Sequence, residues 1–115
     1  MEPGLSTCVE ALGDALGKNK KIEVLNMKKN RIKMTNYCEF WGKMKQNKHL
    51  KKINVSKTDI NDIVIDKLTE YVSMSNLKLI ELDLSCNLIT DAGVTVLCNG
   101  LKMNQYLKTL NLDSN

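Results

Sequence analysis

Residues 79–94 read Leu79-Ile80-Glu81-Leu82-Asp83-Leu84-Ser85-Cys86-Asn87-Leu88-Ile89-Thr90-Asp91-Ala92-Gly93-Val94, and this stretch decides the fold. Leu82-Asp83-Leu84 alternates apolar and polar residues at period two, the pattern of a short strand with one buried face. Farther on the spacing changes, and Val94, Leu97, Cys98 and Leu101 recur at helical intervals. Between the two patterns, Asn87 is expected to turn inward, where its amide can both donate to and accept from loop backbone groups. One turn of chain is therefore strand, loop, helix, loop.

The same register recurs along the chain as Ile22-Leu25-Met27-Asn30-Ile32, Leu50-Ile53-Val55-Thr58-Ile60, Leu79-Leu82-Leu84-Asn87-Ile89 and Leu107-Leu110-Leu112-Asn115. The starts at 22, 50, 79 and 107 are 28, 29 and 28 residues apart, and three positions before them stand Asn19, Asn47, Asn76 and Asn104. A fixed period of this length marks a stack of structural repeats. Thr58 interrupts the column of inward Asn residues, and its hydroxyl makes fewer bonds than an amide, so this turn is expected to be less regular. Helical spacing returns at Cys38, Phe40, Trp41 and Met44, and again at Val64, Ile65, Leu68, Tyr71 and Val72. Val9, Leu12 and Leu16 give residues 4–20 the look of a helical half-repeat.

Leu-x-x-Leu-x-Leu-x-x-Asn-x-Ile at this spacing resembles the leucine-rich repeat, and the 28/29-residue period with an intervening helix resembles its ribonuclease-inhibitor-like subclass. The resemblance covers nearly all of the chain. It implies an α/β solenoid, a fragment of a horseshoe with parallel concave strands and convex helices. The expected organisation is a single array of about three and a half repeats over 1–115: a helical half-repeat at 1–21, then 22–49, 50–78, 79–106 and a partial 107–115.

Parallel strands stack at about 4.8 Å while packed helices need about 8–10 Å, so such a stack curves with its strands inside. The outward strand positions are then Val24, Asn26, Lys28, Lys52, Asn54, Ser56, Glu81, Asp83, Ser85, Thr109, Asn111 and Asp113. Ten of them form the expected protein-binding face: Asn26, Lys28, Lys52, Asn54, Ser56, Glu81, Asp83, Ser85, Asn111 and Asp113. A solenoid repeat cannot bury its apolar faces alone. Without polar caps in sight, the array is expected to belong to a longer one or to an assembly that covers its ends.

Composition narrows the rest. The chain is 43% hydrophobic and 26% charged, which is globular, and no apolar run approaches the ~18 residues of a membrane span. No secretory signal is visible in Met1-Glu2-Pro3-Gly4. Cys8, Cys38, Cys86 and Cys98 form no Cys-x-x-Cys pair, so they read as reduced thiols, mostly small buried apolar residues, with Cys86 the exposed one. His49 stands alone at a helix-to-strand corner, which gives neither a zinc site nor a general base with a partner. Trp41, with Tyr37 and Phe40, is either an aromatic anchor on the convex face or helix packing.

Charge is uneven: residues 1–58 carry 13 Lys+Arg and 5 Asp+Glu, whereas residues 59–115 carry 4 and 8. The basic set, from Lys18, Lys20 and Lys21 through Lys28, Lys29, Arg31 and Lys33 to Lys43, Lys45, Lys48, Lys51 and Lys52, is expected to form one patch. Arg31 is its lone arginine and interleaved aromatics are absent, which favours an acidic protein surface over nucleic acid.

The expected function is a non-enzymatic protein–protein interaction scaffold, cytoplasmic, without metal or cofactor, in a large cytoskeletal or ciliary (axonemal) assembly. The alternative, implied by resemblance, is a regulator of a small GTPase like the Ran GTPase-activating proteins. Their activity depends on an Arg-bearing loop, for which Arg31, in the ordinary turn Asn30-Arg31-Ile32, is the one candidate.

Overall fold

The structure, a computed structural model, describes residues 3–115, with side chains from Cys8 onward. Its elements alternate strictly: α1 Pro3–Lys18, β1 Val24–Asn26, α2 Met34–Met44, β2 Lys52–Asn54, α3 Asp62–Val72, β3 Glu81–Asp83, α4 Asp91–Gly100 and β4 Thr109–Asn111. The strands form one parallel sheet in chain order, β1-β2-β3-β4. Each pairs in the register of the sequence repeat: Val24, Lys52, Glu81 and Thr109 lie side by side, as do Leu25, Ile53, Leu82 and Leu110. Helix packs on the next helix and strand on the next strand. The fold is thus an α/β repeat solenoid fragment.

Leu25, Ile53 and Leu82 point from the strands into the core, joined by Met27, Val55 and Leu84 at the second position after them. The outer half of the core is aromatic. Tyr37, Phe40 and Trp41 of α2 and Tyr71 of α3 are all fully buried, with Phe40 edge-on to Trp41 at 4.9 Å and Trp41 5.8 Å from Tyr71. Helix packing, not an exposed anchor, is therefore the role of Trp41. Rings of this size dominate burial energetics, and they fix the α2–α3 junction even though the Trp41 indole N–H and the Tyr71 hydroxyl have no hydrogen-bond partner among the described residues.

Close helix approach depends on glycine. A Cβ on Gly17 would sit 2.7 Å from the Lys43 carbonyl oxygen, so α1 can lie against α2 only without one. At the other junction, the Asp62 carboxylate of α3 accepts from both the backbone N–H and the hydroxyl of Thr90, the residue that opens α4. These two bonds hold the Asp62 carboxyl below the usual carboxylate range.

The extra residue of the 29-residue repeat lies between the start of α3 and β3. Asn19, Asn47 and Asn104 each accept from backbone N–H groups at their helix-to-strand corners, and Asn47 also donates back to Leu16 and Asn19 of the preceding turn. In the longer loop Asn76 is exposed and Leu77 is buried instead.

The cysteines depart from expectation. Cys8, Cys86 and Cys98 are exposed and Cys38 is half-buried. On α4, Leu97 and the close-approach residue Gly100 take the α3 side, which turns Cys98 about 100° outward.

Candidate protein-interaction surface

Each strand is only three residues long, and one polar side chain ends it. The side-chain oxygens of Asn26, Asn54, Asp83 and Asn111 accept from the backbone N–H two residues on, at 3.1, 3.0, 3.0 and 2.9 Å. Such Asx turns bend the chain out of the sheet. Lys28, Ser56, Ser85 and Asp113 are the residues receiving those turns. They therefore lie beyond the three-residue strands, on the rim of the sheet, whereas alternation alone placed them on its face. The next residues, Lys29, Lys57, Cys86 and Ser114, are left-handed, with φ of 62°, 54°, 56° and 59°.

Behind the rim runs the inward column. Asn87 donates to Val55, Leu84 and Ser85 carbonyls and accepts from the N–H groups of Thr58 and Ile60, all within 3.2 Å. Asn115 repeats the arrangement against Leu84 and Ile89. Thr58 instead donates to Val55 at 2.7 Å, and its oxygen meets the Tyr37 hydroxyl at 2.9 Å. Its turn holds a second left-handed residue, Asp59, with φ of 61°. Burial of Tyr37 pushes that hydroxyl well above the ordinary phenol range, so it stays protonated.

What remains on the sheet face is a shallow groove of about 300 Å³. Of the ten expected site residues it gathers Asn26, Lys52, Asn54, Glu81, Asp83 and Asn111, along with Val24 and Thr109. Lys52 reaches Glu81 of the next repeat at 3.9 Å, with both side chains about half exposed. The groove thus offers amide donors, a cross-repeat ion pair and the exposed Val24. Among the described residues, no group of three or more His, Cys, Asp or Glu is arranged to hold a metal ion, and no helix is long and apolar enough to cross a membrane.

Folding also redistributes charge in a way that counting along the chain does not reveal. The helix-to-strand loops 19–23, 45–51, 73–80 and 101–108 carry Lys20, Lys21, Lys45, Lys48, Lys51, Lys78, Lys102 and Lys108 against Glu23 alone. On the opposite edge, Lys28, Lys29, Arg31 and Lys33 crowd the first loop, and residues 84–90 carry no charge. The acidic residues concentrate on the helices, where Glu10, Asp14 and Glu70 pair with Lys43, Lys45 and Lys67. The single basic patch expected over 18–52 is therefore split between two edges, with Lys43 drawn into the α1–α2 contact. Arg31 has a side chain 93% exposed, and its one ion pair among the described residues is with Asp59, at 3.8 Å.

Two stretches, residues 46–63 and 75–98, match the family profile described as Leucine Rich repeat. Those two stretches lie within the α/β repeat fold, over β2, the start of α3, β3 and most of α4. A comparison with curated proteins finds no match. Among solved structures, the repeat array is similar to Leiomodin-1 Actin-Binding Site 2 (ABS2), with a TM-score of 0.80 and 16% identity, over 99% of this chain. This chain spans 65% of that one, and at such identity the likeness is one of fold.

Proposed function

We propose that this leucine-rich-repeat chain is a non-enzymatic protein-interaction module that receives its partner in the groove of its sheet. The observation that carries this reading is the groove itself: four strands in repeat register present successive side chains along one continuous groove of about 300 Å³ with both polar and apolar lining. Backbone hydrogen bonds and Asx turns hold that face in place, so little ordering entropy is lost when a partner binds.

A cytoskeletal partner is the finer reading, supported by the fold likeness to an actin-binding segment of leiomodin. Membership of a larger cytoskeletal or axonemal assembly in the cytoplasm goes with it. The 28- and 29-residue spacing, with full α-helices on the outer side, supports the ribonuclease-inhibitor-like subclass. No observation favours the GTPase-regulator alternative, since Arg31 sits in a solvated turn with one weak ion pair.

Cosedimentation with actin filaments, microtubules and axonemes tests the proposal. The chain is expected in the pellet with at least one of these polymers, and the groove substitutions Val24→Glu and Lys52→Glu together should weaken capture about tenfold. A chain that stays in the supernatant with all three would reject the cytoskeletal reading. Undiminished capture of the double variant would reject the groove as the contact.

A further inference from the structure

We propose that the helix-to-strand edge of the array is a second binding surface, separate from the sheet groove, and that its partner is an extended acidic peptide segment. The repeat register lines up the positions that precede each core residue, so Lys21, His49, Lys78 and Tyr106 occupy equivalent sites in successive turns. The Nζ of Lys78 lies 5.8 Å from the Tyr106 ring centroid, which shows that side chains one repeat apart on this edge reach each other.

Two positions farther along, the backbone is locked. Lys51 donates to the Glu23 carbonyl, Ile80 to Lys51 and Lys108 to Ile80, at 2.8, 2.7 and 2.8 Å. The edge is thus a fixed row, not a set of mobile loops.

Between the first three turns the row encloses a trough of about 350 Å³, lined by Lys48, His49, Lys51 and Lys78 with Glu23 as its lone acid. Lys51 pairs with Glu23 at 3.3 Å, whereas Lys48 and Lys78 have no ion-pair partner among the described residues. Of the edge lysines only Lys45 is met by a helix acid, Glu70, while Glu10 and Asp14 are engaged with Lys43, so among the described residues no helix acid pairs with Lys48 or Lys78. A local excess of one sign that the protein leaves uncompensated steers and holds a ligand of the other sign.

The chemistry selects carboxylates. Every basic residue in these four loops other than His49 is lysine, a hydrated point charge and not the planar fork suited to phosphate or base edges. Tyr106 is the one aromatic residue of these loops, so no stacking platform for bases exists. Spacing agrees as well. The edge lies between strands about 4.8 Å apart and helices about 8–10 Å apart, and alternate residues of an extended peptide repeat at about 6.8 Å. A glutamate at every second position could meet one repeat after another.

The test is fluorescence anisotropy of the intact chain with a labelled peptide of alternating glutamate and alanine. A single-stranded oligonucleotide of equal charge serves as comparison. Saturable peptide binding that weakens with salt is expected, about tenfold weaker for the pair Lys48→Glu and Lys78→Glu. The pair Lys29→Glu and Lys33→Glu makes the same change in net charge on the opposite edge and should leave affinity within about twofold. The swap Lys52→Glu with Glu81→Lys alters the sheet groove and should also leave it unchanged, which keeps this result independent of the groove proposal. Equal losses in both charge-reversed pairs would overturn the site in favour of bulk charge. Tighter binding of the oligonucleotide would overturn the partner class, and absence of peptide binding would overturn the proposal outright.

Discussion

The turns after β2 and β3 perform the same geometric task with different chemistry. After β3, one amide does everything: Asn87 bonds to its own loop and reaches back to Thr58 and Ile60 of the preceding repeat. After β2, a threonine bonds within its own loop and a tyrosine hydroxyl arriving from α2 completes its surroundings. The first solution ties repeat to repeat through the loops, and the second ties loop to helix. Only the second carries a left-handed residue, Asp59, on the far side of the buried position. Substitution at the column is tolerable when another element supplies the missing polar atom, and the cost moves into the backbone.

Replacing each side chain should separate the two solutions. Asn87→Ala leaves the Thr58 and Ile60 N–H groups buried without acceptors and is expected to destabilise the chain by about 3–5 kcal/mol. Thr58→Ala leaves one hydroxyl unpaired and should lose about 1–3 kcal/mol. Urea denaturation reads both, and equal losses would dissolve the contrast.

A smaller effect tests the helix contribution. Tyr37→Phe removes the hydroxyl while Thr58 keeps its bond to Val55, so about 1 kcal/mol is expected. Unchanged stability would mean that the tyrosine merely fills space.

The smallest effect has the opposite sign. Asp59→Gly should stabilise the chain by about 0.5–1 kcal/mol, read as a higher urea midpoint, because glycine adopts φ of 61° without strain. The Arg31 contact that it removes is long and exposed, and pairs of that kind contribute little. A loss of stability would show that Asp59 holds its turn through its side chain.

These residues also show how far the sequence could be read. Leu-x-Leu at period two, repeated at a fixed interval, located all four strands and their mutual register, because alternation and stacking are set by local geometry. The inward Asn column was legible for the same reason. Tyr37 was not, since an aromatic among Phe40 and Trp41 reads as packing and its hydroxyl meets Thr58 from 21 positions away. Asn26, Asn54, Asp83 and Asn111 looked like free contact residues, but an Asx turn leaves no trace in apolar periodicity. The edge lysines were visible as residues and hidden as a surface. Counting charge along the chain produces a gradient from one half to the other, whereas the solenoid sorts the same residues by their phase within each repeat.

The burial of Trp41 has a practical corollary. It is the chain's one indole, and it lies 5.9 Å from the Tyr37 ring and 5.8 Å from that of Tyr71, at the seam between α2 and α3. Its emission spectrum will shift to the red only when that seam opens. The far turn at α4 and β4 contains no indole, so it can fray without a change in tryptophan emission. Fluorescence and circular dichroism melts of this protein should therefore diverge wherever the array comes apart one repeat at a time.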